Sequence, residues 1–365
     1  MTTSTEPTNA GVAIAPGGEA SHYREPTALE TGWASISAIF AKETRWRMRG
    51  RRAFVIVTIY VAVLALLVLG VYRVTYDRAL FEIEMNGSVA PVDVVSGSLA
   101  LVIGQSVFTT ILITQTLLTV MLAPGLTSGS ISSEREKQTL ELLITTPVST
   151  LGMVIGKLMS SLAYLFLLVL ASIPLMSVVF IFGGIAPEDV IKAYVLLLAV
   201  TFGIGSIGMF MSALLKRTQV ATALSYVIVL LLAVGSLVLH TYWYASSRPV
   251  VFMGQETRSR SAPEALVWLS PFVADIDLLC TAMPDSYGVT CSYIATVTGQ
   301  DTDFTGLAAH PPRDTFWPRS VAAFLGLGVI LTLLTTQLIA PSRRLRRGTA
   351  PDRAPPPPAE EETAQ

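Results

Sequence analysis

The chain has 365 residues, 52% of them hydrophobic and only 14% charged, with a mean hydropathy of +0.58 and a formal net charge of −1. A soluble domain carries about 25% charged residues, so the composition excludes an ordinary water-soluble globular protein. Three histidines (His22, His240, His310) lie far apart and both cysteines fall in one late segment, so no His/Cys/acid spacing suggests a metal site.

Residues 1–28 are rich in Thr, Pro, Gly, Ala and Ser without apolar periodicity, which predicts a disordered tail; no early h-region marks a signal peptide. Over 29–52 the character changes. Leu29, Trp33, Ile36, Ile39 and Phe40 recur at helical spacing ahead of Lys42, Arg45, Arg47, Arg49, Arg51 and Arg52. This predicts an amphipathic interfacial helix, and the same basic cluster marks a cytoplasmic flank.

About 20 apolar residues cross a bilayer core. Six runs qualify: 53–72, 94–122, 152–182, 190–215, 220–240 and 321–340. Pro174 predicts a kink in the third. With six spans, the basic N-terminal cluster, the 123–151 loop, Lys216-Arg217 and Arg343–Arg347 share one side, so both termini are expected in the cytoplasm. The segment Ala262–Met283 is apolar enough to suggest a seventh span. It contains Glu264, Pro271, Asp275 and Asp277, and each mid-membrane acid costs about 2.5–3.5 kcal/mol. The better reading is a helical or re-entrant element dipping from the exoplasmic face, inside a long 241–320 loop. Cys280 and Cys291 lie in that loop. A disulfide there is chemically permitted and would contribute about 3 kcal/mol; two free thiols are the alternative. Beyond Arg347 the Pro- and Glu-rich sequence to residue 365 predicts a disordered tail within the 341–365 segment.

Two nucleotide-like patterns carry no such chemistry. Gly203-Ile-Gly205-Ser-Ile-Gly208 lies inside a span, where glycines permit close helix packing. Gly152–Lys157 is one residue short of a phosphate loop and lacks the following Ser or Thr. No catalytic constellation and no soluble domain large enough for an ATPase is visible, so ATP-driven work would need another polypeptide. On the second span Ser98, Gln105, Thr109 and Thr116 fall within about 40° of one another at 100° per residue. They could line a substrate path; interhelical hydrogen bonding is the plainer explanation. No span has a central Asp or Glu, which speaks against a proton-coupled carrier built on intramembrane carboxylates.

The insert Thr127–Pro147 carries four consecutive charged residues, Glu134–Lys137. Ser133 and Glu136 fit a Ser-x-x-Glu capping box, with Ser130 or Ser132 as alternative caps. Glu134, Arg135, Glu136 and Lys137 occupy the first turns, Leu140, Leu142 and Leu143 add an apolar surface, and Thr146-Pro147 ends the helix. The pattern predicts a short amphipathic helix that meets a partner or lies flat on lipid.

Ile131-Ser-Ser-Glu-Arg-Glu-Lys-Gln-Thr-Leu-Glu-Leu-Leu-Ile-Thr-Thr-Pro-Val-Ser149, followed by Gly156-Lys157 opening a span, resembles the type-2 ABC transporter permeases. The resemblance extends in architecture over about residues 30–340. It implies an all-α polytopic fold: an interfacial entry helix, six spans, a coupling helix and an exoplasmic helix before the last span. It also implies an exporter permease working as a dimer with a second copy or a homologue. ATP and Mg would belong to a separate ATPase subunit, with no cofactor in this chain. Ser133, Glu134, Arg135, Glu136, Lys137, Glu141, Leu142 and Leu143 would contact that ATPase, with Ala41–Arg49 as a second contact. Glu136→Lys or Glu141→Lys would then uncouple transport with folding intact. The excess of arginine over lysine points to a GC-rich bacterium and its plasma membrane. A non-transporting membrane scaffold or assembly factor is the alternative function, and nothing suggests a nucleic-acid partner.

Overall fold

A computed structural model describes residues 51–86, 92–138, 150–246, 264–282 and 316–339, with Ser37, Ala41 and Cys291 as isolated positions. Among these residues every regular element is helical. In chain order they are α1 (Arg51–Asn86), α2 (Val92–Thr127), α3 (Ser132–Glu136), α4 (Thr150–Ala171), α5 (Ile173–Ser177), α6 (Val179–Phe182), α7 (Pro187–Leu214), α8 (Thr218–Leu230), a π-turn (Leu231–Gly235), α9 (Ser236–Ser246), a 3-10 turn (Glu264–Leu266), α10 (Pro271–Ala282) and α11 (Phe316–Ile339). Most of the interfacial helix expected over 29–52 (all but Ser37, Ala41, Arg51 and Arg52), Leu140–Ser149, most of the 241–320 loop and both tails lie outside the described residues.

Six helical stretches are long and apolar enough to cross a membrane: Phe54–Phe81, Leu99–Glu136, Thr150–Phe182, Pro187–Leu214, Thr218–Trp243 and Phe316–Ile339. They correspond one to one with the six apolar runs. Helix and apolar run do not end together, however. α1 continues well past Tyr72 because Arg73–Asn86 contains neither Gly nor Pro; at 1.5 Å per residue its 36 residues reach about 54 Å. The third span is broken where the proline predicted it. Pro174 occupies the first turn of α5, Ser172 sits at the break from α4, and a second interruption at Val178 precedes α6. The fifth span is interrupted by the π-turn, which nothing in its apolar sequence announces. α10 has only 12 residues, about 18 Å, too short for a seventh crossing.

α7 is the central element. Its most apolar stretch is 78% buried, against 6% for that of α1. The glycines of the GxGxxG pattern explain how so many neighbours reach it. A methyl group at Gly203 would strike Phe324 of α11, at Gly205 Leu162 of α4, and at Gly208 Thr127 of α2. The contact with α11 is reciprocal, since a methyl at Gly328 would strike the ring of Phe202. One helix thus uses a single Gly-rich turn to seat three others. The apolar core runs in two clusters. One includes Leu158, Leu162, Ile204 and Phe324 and runs along α11 from Phe316 to Ile339. The other includes Phe108, Leu112, Met176, Leu197 and Leu278. α1 packs along α2 and leaves Phe54, Leu66 and Phe81 exposed, as a lipid-facing helix requires.

Candidate functional site

The segment Thr127–Gln138 follows α2, contains α3 and is held by three other spans. The Ile131 and Ser132 backbone N–H groups both donate to Ser212 Oγ at the end of α7, each at 2.9 Å. Ser132 Oγ donates to Thr218 Oγ1 at 3.1 Å, and Ser128 Oγ meets Thr222 Oγ1 at 2.7 Å, so both anchors lie on the first two turns of α8. Tyr226, one turn further along α8, donates its hydroxyl to the Met121 carbonyl at 2.8 Å. From α4, Lys157 Nζ pairs with Glu134 and also reaches the Ser130 carbonyl at 3.5 Å. Lys157 is buried, its side chain 5% exposed. Because segments 128–138 and 215–222 meet here, they lie at one end of the bundle, as an even number of crossings between them requires.

These contacts reassign several predicted residues. Ser133 does not cap α3. The helix begins at Ser132 with Ile131 as its N-cap and no side-chain cap, and Ser133 Oγ instead donates back to the Gly129 carbonyl at 2.5 Å. The Ser133 N–H, which Glu136 would accept in a capping box, instead donates to the Gly129 carbonyl at 3.2 Å, so Ser133 lies inside the turn rather than at its cap. Glu136 caps a different helix. Its Oε1 accepts the Thr218 N–H at 2.8 Å, satisfying the start of α8, whose own N-cap Arg217 offers no side-chain bond. Glu134 and Glu136 therefore stabilise the segment from within. The side chains of Arg135 and Lys137 make no hydrogen bond or ion pair among the described residues and reach the surface, Lys137 more fully than Arg135. α3 stops at Glu136 rather than continuing unbroken, because Gln138 adopts φ 57° and turns the chain away through the left-handed region. Glu141, Leu142 and Leu143 lie outside the described residues.

The residues of the polar stripe on α2 differ in their surroundings. The Ser98 side chain lies outside the described set. Gln105 and Thr109 are half-buried, and Thr109 Oγ1 donates back to the Gln105 carbonyl at 2.9 Å. Thr116 is buried next to Asp275 of α10. The neighbouring Gln115, outside that stripe, makes the more consequential contact. Its amide donates to Ser172 Oγ at the break in the third span, and Ser172 Oγ meets Tyr194 OH of α7 at 3.0 Å. This joins three spans at the proline kink.

α10 is anchored at both ends. Ser270 Oγ, just before it, donates to the Ala233 carbonyl within the π-turn at 3.0 Å, a site the irregular helix turn opens. Asp277 Oδ2 accepts the Trp317 N–H at 3.2 Å, and Arg319 pairs with Glu264 at 2.8 Å. Cys280 is joined to Cys291 by a disulfide with Cα atoms 5.5 Å apart. Ser212, Gln115 and Ser270 were missed by motif reading, and Lys157 was noted only within the Gly156-Lys157 pattern, without its partner. A partial signal existed in the i, i+4, i+8 spacing of Thr218, Thr222 and Tyr226, which puts three hydroxyls on one face of α8. Among the described residues no group of three or more His, Cys, Asp or Glu side chains could hold a metal ion.

A six-span helical bundle around one glycine-rich central helix, with a charged inter-span segment clamped to three spans, defines a polytopic membrane protein organised around that segment. The chain belongs to the ABC-2 family of transporter proteins, whose profile matches residues 37–298. A search of curated proteins found no significant match. The family assignment makes this chain a permease component of an ABC transporter, the membrane part that carries no nucleotide-binding domain of its own.

Proposed function

We propose that the chain is the permease subunit of an ATP-driven exporter and that Thr127–Lys137 is the element through which a separate ATPase subunit moves it. One observation carries this reading: the segment is tied by hydrogen bonds and an ion pair to α4, α7 and α8 at once. A force applied there reaches three spans without passing through a flexible loop. The docking groups are Arg135 and Lys137, whose side chains have no internal duty, together with Glu141, Leu142 and Leu143 beyond them. ATP and Mg act in the partner ATPase. Two permease copies, or one copy and a homologue, enclose the path, with Gln105 and Thr109 of α2 as its polar lining. The basic clusters support cytoplasmic termini in a bacterial plasma membrane.

The experiment is purification of the full chain from native membranes, comparing wild type with Arg135→Glu/Lys137→Glu. Wild type should retain an ABC ATPase. The double reversal should lower retention about tenfold, equivalent to about 1.4 kcal/mol, with unchanged yield and helicity. Equal retention by both proteins, or no ATPase with wild type, would overturn the reading.

A further inference from the structure

Asp275 differs from the other acids of the described structure. It is fully buried, at 0% exposure, and neither carboxylate oxygen meets a hydrogen-bond donor in good geometry. The polar group beside it is the Thr116 hydroxyl, which is also buried and has no other partner. α10, which carries Asp275, packs against α2, α7 and α11. α2 has no charged residue from Val94 to Thr127, and α7 has none after Lys192. The charged groups of the surrounding elements are committed elsewhere: Lys192 to Asp189 at 3.2 Å, Arg319 to Glu264 at 2.8 Å, and Asp277 to the Trp317 N–H at 3.2 Å. Glu188 is exposed at the start of α7. No cation among the described residues balances Asp275.

An acid kept only for packing would be expected to have donors around it, as Asp277 does. An ionised carboxylate enclosed without one is so unfavourable that the group takes up a proton instead. Burial pushes the Asp275 carboxyl well above the usual carboxylate range, and the Thr116 hydroxyl draws it only partly back. Both oxygens are enclosed by protein, so the ligand they accept in this conformation is the smallest cation. We propose that Asp275 is a proton-binding site: its carboxyl is protonated while α10 is seated against α2, and it releases that proton to water when α10 moves and its oxygens become hydrated. The release breaks the O–H bond, leaving a carboxylate and one hydronium ion. The inner, N-terminal end of α10 itself has one hydrogen bond, Ser270 on Ala233, with the partly exposed Glu264–Arg319 pair in the turn before it, whereas its other end carries the disulfide and the Asp277 bond. Movement that hydrates Asp275 would therefore start at the inner end. This inference does not depend on the ATPase assignment.

The test uses the full chain in lipid vesicles. Infrared spectra near neutral pH should show the C=O stretch of one protonated carboxylic acid in wild type that is missing in Asp275→Asn. Carbonyl-13C aspartate labelling of wild type should shift it, and Asp275→Glu should move it; these two measurements decide the matter if Asp275→Asn fails to fold. A carboxylate band in its place would overturn the proposal. A second readout is stability against pH. The native state holds a proton that the unfolded chain loses near its ordinary pKa of about 3.9, so this group's contribution falls as pH rises from there to the raised native value. Within that window wild type should lose about tenfold in folding equilibrium constant per pH unit, one proton's worth, relative to Asp275→Asn. Parallel profiles for the two proteins would refute it.

Discussion

The Lys157–Glu134 pair makes an asymmetric prediction. Lys157 comes from α4 with its side chain 5% exposed, whereas Glu134 lies on α3 with 27% exposed. Glu134→Gln leaves a buried ammonium without its carboxylate, the situation in which breaking a pair costs about 3–5 kcal/mol. Lys157→Met keeps most of the buried volume and leaves a carboxylate that can turn to water, so its cost should be about 1–2 kcal/mol. The double variant removes both charges and should return to within about 1 kcal/mol of wild type. The assay is a double-mutant cycle on detergent-solubilised protein, unfolded by SDS titration and followed by helicity and by accessibility of a cysteine placed near residue 135. The expected coupling is at least about 2 kcal/mol. Equal, additive effects of the two single changes would refute the claim that this pair holds the segment to α4.

Ser212→Ala removes the acceptor of two buried amides and should cost about 1–3 kcal/mol for each; hydrogen exchange at Ile131 and Ser132 should accelerate at least about tenfold, and Ser212→Thr should restore much of the protection. Gly328→Ala drives a methyl into the Phe202 ring and should destabilise by about 1–3 kcal/mol. Gly326→Ala meets nothing within 4 Å and should be neutral or stabilise by up to about 1 kcal/mol; thermal stability of the two variants in one detergent makes the comparison. Non-reducing peptide mapping should recover Cys280 and Cys291 in one linked species, and Cys280→Ser/Cys291→Ser should lower stability by about 3 kcal/mol.

The spans were legible because each is a long apolar run, and such a run has few ways to satisfy its backbone in lipid. Their ends were less legible. α1 overruns the apolar stretch to Asn86 because polar residues such as Asp77 and Arg78 do not break a helix. The charged insert was legible as a feature, but its internal bonding was not. Ser212, Thr218 and Lys157 lie 23 to 86 residues from their partners in it, and local rules such as the capping box cannot see partners so distant in sequence. Gly203, Gly205 and Gly208 were read as packing glycines, and their neighbours Phe324, Leu162 and Thr127 give that reading its partners. Asp275 was weighed only as an obstacle to a seventh span; that it is enclosed without a donor depends on where α10 packs.

The way α7 receives its neighbours also bears on how the chain is made. Chains emerge N-terminus first, so α1, α2 and α4 are synthesised before the helix whose glycines fit Thr127 and Leu162. Until α7 arrives, the Ile131 and Ser132 amides lack Ser212 and the faces of α2 and α4 lack their seat. α11 then comes last, and only it brings Phe324 to Gly203 and Gly328 to Phe202. Biogenesis therefore has two late closing events, at the fourth and sixth spans. Ribosomes stalled before about residue 316 would hold a bundle whose central helix is still open along one side, the form most exposed to membrane proteases and quality control.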